Sequence, residues 1–514
     1  MAPFDRPVVL LSHRGPASFQ RTPSGLTVKR GAGGLVTALM GLAEHLDRAV
    51  WVCAAATGAD AVVATEHEGH AVEIAFDPEP QLVSAGHEGD GPTIGVRYVE
   101  VDPLRHDAFY MQIANPLLWF VQHGLYGLAT APTITSETKR AFADGYVAVN
   151  AQFADAVADE VEAHGGEVVV LLQDYHFYLV AERVRQRCPG ALISHFVHIP
   201  WPSPDEWRVL PTDMREPLLR GLLGADVVAF HTRRFARNFL VCARELLGLP
   251  VDLDAGTVEV DGRVVVARHY PISIDVDAVE KLAASEEVAR HRVAIEDSHL
   301  RDGGHGERQL IVRVDRTDPS KNIVRGFQAF DLLLEQHPEL RGRVTFLASL
   351  MPSRTDVPEY GDYLAAVGAI VAEVNARHSV GGWQPIDMRL QEDLAFAVAA
   401  YQVADVLVVN AVNDGMNLVA KEAVLVNARD GVLLLSENTG AHEELGDCAL
   451  TVHPFDVQQQ ADAMHRALTM PVAQRHRMLT EAAQIVRDND VERWLRRQID
   501  DLVERTRPDT RTAD

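Results

Sequence analysis

Short apolar runs alternate with stretches of helical spacing along the whole chain, and most of the runs end in polar loops. Residues 8–12, 50–55, 94–101, 167–172 and 192–197 carry the Val, Ile and Leu content expected of buried strands. Residues 225–232 read as a further strand with its loop, 264–268 as another strand, and about 139–163 as a helix. Strands alternating with helices predict a doubly wound parallel sheet. The pattern then restarts after a charged, glycine-containing segment, 285–308, which reads as a helix followed by a surface loop. New strands are predicted at 309–314, 344–350, 386–391, 404–410 and 432–435. The expected fold class is therefore α/β, with two Rossmann-like domains facing a cleft. Residues 1–275 form the first domain and 276–485 the second. Residues 486–505 form a C-terminal helix packing back on the first domain, with Trp494, Leu495, Ile499 and Leu502 on one face, and 506–514 a disordered tail.

The most informative stretch is Asp414-Gly415-Met416-Asn417-Leu418-Val419-Ala420-Lys421-Glu422. It joins the strand at 404–410 to a helix that starts at Leu418 and meets no breaker before Asn427. Such loops lie where open α/β sheets bind ligands. Amides of Asn417, Leu418 and Val419 at a helix start suit anionic oxygens, while Asp414 and Glu422 can accept hydrogen bonds from hydroxyls. Phosphate donors beside hydroxyl acceptors suggest a sugar nucleotide. A plain strand-to-helix loop with an N-capping aspartate would show the same pattern.

Charge sharpens this picture. The 514-residue chain carries a net charge of −25, which argues against nucleic acid and anionic membranes as partners. A chain so acidic must gather its cations wherever it holds a phosphate. Arg316 and Lys321 share one loop at a helix entrance, and Lys29 and Arg30 precede the glycine-rich Gly31-Ala32-Gly33-Gly34. That glycine segment departs from the dinucleotide fingerprint. Asp174 and His198 each follow a predicted strand, and Tyr110 and Trp119 lie on one aromatic segment that suits either a core helix or a sugar-binding wall. The 4 cysteines, Cys53, Cys188, Cys242 and Cys448, are scattered without metal-ligand spacing and read as buried thiols in a reducing compartment. No leader and no membrane-spanning run is visible, so a cytoplasmic protein is expected.

Taken together, Gly33-Gly34-Leu35, Asn115 with Leu118-Trp119, Asp174-Tyr175-His176, His198-Ile199-Pro200-Trp201-Pro202, Arg316 to Lys321 and the Asp414–Glu422 string resemble the trehalose-6-phosphate synthase family. The resemblance runs over about residues 8–500. It implies a GT-B fold, with the first domain binding the acceptor and the second the donor. It also implies retaining, metal-independent transfer of glucose from a nucleotide diphosphate glucose to glucose 6-phosphate. By that resemblance Arg316, Lys321, His198 and Asp414 are catalytic. Gly33, Gly34, Asn417, Leu418, Val419 and Glu422 bind the donor, and Arg14, Tyr110, Trp119, Asp174 and Arg354 the acceptor. No cofactor and no metal site is implied. Partners are small-molecule substrates, and a homo-oligomer is left open.

Three departures stand out. Gln173 replaces a histidine, Pro319-Ser320-Lys321-Asn322 replaces Tyr-Ser-Lys-Gly, and Ser273 replaces a glycine. Pro319, Asn322 and Trp201-Pro202-Ser203 also resemble a pseudoglycosyltransferase that joins a nucleotide-linked cyclitol to an aminocyclitol phosphate. The donor base, uracil, guanine or adenine, is left open.

Overall fold

The computed structural model describes residues 6–23, 25–31, 40, 49–76, 80–83, 93–301, 308–354 and 356–506. Gly33, Gly34 and the tail from 507 lie outside the described residues. The chain divides into two compact units, Met1–Tyr270 with Glu492–Asp514, and Pro271–Val491. The division falls a few residues from the expected boundaries for a local reason. The carbonyl of Ile272 accepts from Lys421 Nζ and that of Ile274 from the Val491 amide, so both belong with the second unit.

The first unit holds β1 (Val8–Leu11), β2 (Ala17–Thr22), β3 (Gly25–Arg30), β4 (Ala49–Ala54), β5 (Val72–Ala75), β6 (Gln81–Val83) and β7 (Thr93–Val99). It continues with β8 (Val169–Gln173), β9 (Leu192–Phe196), β10 (Val227–Phe230), β11 (Val251–Asp252), β12 (Thr257–Val260) and β13 (Arg263–His269). Its main sheet runs β11-β12-β13-β10-β9-β8-β1-β4-β7-β5-β6, parallel in the middle and antiparallel at both edges. The central strands β1, β4, β8 and β10 are buried at every residue. That is why they read as unbroken apolar runs: helices cover both faces of a parallel sheet.

The second unit is a six-stranded parallel sheet of β14 (Gln309–Arg316), β15 (Val344–Met351), β16 (Ile386–Leu390), β17 (Val406–Val409), β18 (Val432–Ser436) and β19 (Leu450–Val452), in the order β16-β15-β14-β17-β18-β19. Ile311, Phe327, Phe330, Phe346, Val406 and Leu434 lie in its core.

Two helical stretches of the first unit wind more widely than expected. Asp107–Trp119 and Ala141–Val147 are π-helical, the first with Pro116 inside, where the wider winding relieves the clash of its ring with the preceding turn. The last helix, Val491–Thr506, lies against the first unit. Its Trp494 meets Phe196 edge-on at 5.5 Å, and Asp501 accepts from the Tyr270 hydroxyl at 2.6 Å.

Candidate active site

Strand order explains where the polar residues gather. In the second unit, β14 is followed on one side by β15 and flanked on the other by β17. The chain thus changes direction between β14 and β17, and their carboxyl ends open the crevice that binds ligands in such sheets. Lys321, after β14, meets Asp414, after β17, with Nζ 2.5 Å from Oδ2. The Val412 amide donates to the Ser320 carbonyl at 2.8 Å and ties the two loops together. Asp414 Oδ2 also accepts from Asn417 Nδ2 at 3.1 Å.

Asn417, not Asp414, caps the helix Leu418–Val426. Its backbone is left-handed (φ 75°), and its Oδ1 accepts from the Ala420 amide at 3.2 Å. An N-cap serves only part of the first turn, so the Leu418 and Val419 amides have no acceptor within the helix. Asp414 is thereby left to the lysine.

Three cations act on one buried carboxylate. Burial opposes the charge of Asp318, but Arg316, Arg354 and Lys321 outweigh it and hold the carboxyl below its usual range. Arg316 Nη2 lies 2.6 Å from Asp318 Oδ2, and its side chain is half exposed. Arg354, expected on the acceptor side, also acts on Asp318, because β15, which precedes its loop, is the neighbour of β14. Burial likewise opposes the charge of Lys321, and Asp414 and Asp315 overcome it to raise the pKa. Beneath them Arg313 and Asp315 form a buried pair at 2.7 Å, and Arg313 also donates to the Lys321 carbonyl at 2.9 Å. Asn322 takes a left-handed conformation (φ 58°), which glycine and asparagine adopt most readily. The asparagine that replaces the usual glycine thus keeps the turn. Its Nδ2 also donates to the carbonyls of Asn410 and Pro454, at 2.9 and 2.6 Å.

Glu422 sits one turn into the helix, 3.4 Å from the Tyr401 hydroxyl, with its carboxyl pKa raised by burial. Lys421 is a structural lysine: it is buried and donates to the Ile272 carbonyl at 2.9 Å beside Glu444 at 2.6 Å.

In the first unit the change of direction falls between β1 and β8. Arg14 follows β1 and is exposed, and Asp174 follows β8 in a left-handed conformation (φ 72°) that is costly for aspartate. Asp174 Oδ1 accepts from the His198 amide at 3.1 Å, and its carbonyl pairs with His195 Nε2 at 3.1 Å. Tyr110 lies in a stack of rings: His13 at 4.8 Å, His106 at 5.5 Å and His176 at 5.8 Å. The two ends of the aromatic segment therefore differ. Tyr110 is partly exposed, whereas Trp119 is 3% exposed, packed on His123 at 4.0 Å, which leaves little of its ring for a ligand.

His195 links this site to stability. Burial lowers its pKa from 6.5 to about 4, so the folded chain keeps it neutral. The unfolded chain takes up the proton first as pH falls. The stabilisation is complete above the unfolded pKa and is lost as pH falls from about 6.5 to about 4, amounting to about 3 kcal/mol. In His195→Gln, urea unfolding between about pH 7 and pH 4 should show a shallower loss of stability than in the parent. An unchanged slope would contradict this.

Sequence reasoning missed His13, His106, the Arg313–Asp315 pair and the Thr439-Gly440 backing of the Asp414 loop. Among the described residues, three potential metal ligands converge only at His337, Glu339 and His465, none of them a residue of either crevice. No helix among the described residues is long and apolar enough to cross a membrane.

Two doubly wound α/β units, each with polar residues at the carboxyl ends where its strand order reverses, define an open-sheet α/β enzyme. The chain belongs to glycosyltransferase family 20, whose model matches residues 6–504. It is 32% identical over 512 residues to the trehalose-6-phosphate synthase of Mycobacterium avium (strain 104), covering 96% of this chain and 95% of that one. It is equally 32% identical to the validamine 7-phosphate valienyltransferase of Streptomyces hygroscopicus subsp. jinggangensis, covering 85% and 86%. A longer relative from Arabidopsis thaliana, the probable α,α-trehalose-phosphate synthase [UDP-forming] 2, is 30% identical, and the chain spans 56% of its length. Among solved structures, the α,α-trehalose 6-phosphate synthase of Burkholderia multivorans superimposes with a TM-score of 0.79 at 30% identity, over 97% of this chain and 96% of that one. The fold is GT-B.

Proposed function

We propose that the chain transfers glucose, with retention, from a nucleotide diphosphate glucose to glucose 6-phosphate, forming α,α-trehalose 6-phosphate. The observation that carries this reading is the Lys321–Asp414 pair at the crevice of the second unit, beside Arg316 and the open helix start at Leu418. Lys321 and Arg316 stabilise the departing diphosphate, and the amides of Asn417, Leu418 and Val419 hold its oxygens. Asp414 accepts from hydroxyls of the sugar and Glu422 from the ribose. Arg14, Tyr110 and Asp174 serve the acceptor, with Arg354 on its phosphate. No enzymic nucleophile is needed, because a departing diphosphate oxygen can take the proton of the attacking hydroxyl.

A cyclitol-coupling reading is favoured by Pro319 and Trp201-Pro202-Ser203, and by the valienyltransferase relative. Asn322 adds little to it, since its backbone conformation accounts for it. The test is nucleoside diphosphate release from UDP-, GDP- and ADP-glucose, each with and without glucose 6-phosphate. At least one donor should give release that depends on glucose 6-phosphate, and no dependence across the panel would overturn the reading. Turnover should also survive chelation by EDTA; loss that is restored by a divalent metal would contradict a metal-independent transfer.

A further inference from the structure

We propose that Gln173 is a positioning residue that holds His198 as its Nε2–H tautomer and so presents an unprotonated Nδ1 to accept a hydrogen bond from a substrate hydroxyl. This rests on the reading above, in which His198 meets a polyol substrate.

Gln173 ends β8 and pairs in register with Phe196 of β9, two residues before His198. Its side chain is buried, and its Oε1 lies 2.8 Å from His198 Nε2. An amide oxygen can only accept, so Nε2 carries the hydrogen and Nδ1 does not. Among the described residues Nδ1 makes no hydrogen bond. The backbone is fixed independently, because the His198 amide donates to Asp174 Oδ1. The ring is enclosed by Phe196 at 4.5 Å, His231 at 5.1 Å and Trp494 at 6.4 Å. Burial, then His231 and His195, oppose a positive charge on the ring and keep the imidazole neutral, although the Asp174 carboxylate that accepts from the His198 amide lies beside it. In a neutral ring the bond at one nitrogen decides what the other can do.

The test compares the parent with Gln173→Glu and Gln173→Met. In deuterated protein carrying ¹⁵N-labelled histidine with protonated ring carbons, two-bond ¹⁵N–¹H correlations identify His198 by its loss in His198→Phe. The parent should give the Nε2–H pattern. Gln173→Glu, whose carboxylate stabilises the imidazolium, should give a doubly protonated ring near neutral pH. Its kcat/KM should gain an acid limb of about tenfold per pH unit that the parent lacks. Gln173→Met should mix the tautomers and lower kcat about tenfold while keeping the melting temperature. An Nδ1–H pattern in the parent overturns the proposal, and so do unchanged ring signals in both variants. If the parent transfers no sugar at all, the functional reading fails while the spectra still decide the tautomer.

Discussion

Lys321→Met should lower kcat by a factor on the order of 10²–10³, about 3–4 kcal/mol of lost transition-state stabilisation, with little change in melting temperature. The backbone of Lys321 is held without its side chain, since its carbonyl accepts from Arg313 at 2.9 Å. The core pair Arg313–Asp315 survives the substitution, and Asp414 keeps its bond from Asn417 Nδ2. What is removed is one charge at the crevice where the leaving diphosphate develops its own. Arg313→Met makes the contrast: it strands Asp315 in the core, and such a loss costs about 3–5 kcal/mol of stability. Kinetics at saturating donor together with a thermal scan separate the two. Near-normal turnover in Lys321→Met would refute the role assigned to it.

Gly440→Ala should damage both stability and transfer, although residue 440 carries no chemistry. A Cβ there would lie 2.0 Å from the Gly415 carbonyl oxygen and 2.9 Å from Met416 Cα. Both are backbone atoms, so the loop itself must move. That loop is held by three bonds: Asp414 N to Asn438 O at 3.2 Å, Gly440 N to Asp414 O at 3.1 Å and Ala441 N to Met416 O at 2.8 Å. Overpacking of this kind costs about 1–3 kcal/mol, and a displacement of about 1 Å at reacting groups costs about 10²-fold in rate. Gly58→Ala, at a helix start with open space around it, should stay within about 0.5 kcal/mol of the parent. Denaturant unfolding and kcat check both variants, and an unaffected Gly440→Ala would show that the loop is not held as described.

The buried parallel strands were legible because two covered faces demand continuous apolar runs. The edges were not. The β2–β3 hairpin has few buried residues, and β11 is only two residues long, so neither carries a strong period. The helix read over residues 139–163 is continuous in the structure, yet its π-wound part leaves no mark in spacing alone. Their places in loops between a strand and a helix named Arg316, Lys321, Asp414 and Asn417 as candidates. Those places alone could not pair Lys321 with Asp414, because that depends on β17 lying beside β14 rather than on the distance along the chain. The same holds for Lys421, whose partners Ile272 and Glu444 are remote in sequence. Asp318 is a third case: nothing in Arg316-Thr317-Asp318 says that its carboxylate is buried under three cations.

The most direct measurement is the identity of the product made by the purified chain from a nucleotide diphosphate glucose and glucose 6-phosphate, by mass and by the NMR couplings of both anomeric protons. The expected result is α,α-1,1-linked trehalose 6-phosphate, formed in step with nucleoside diphosphate. No coupled product from any glucose donor, alongside coupling of a nucleotide-linked cyclitol to an aminocyclitol phosphate, would contradict it.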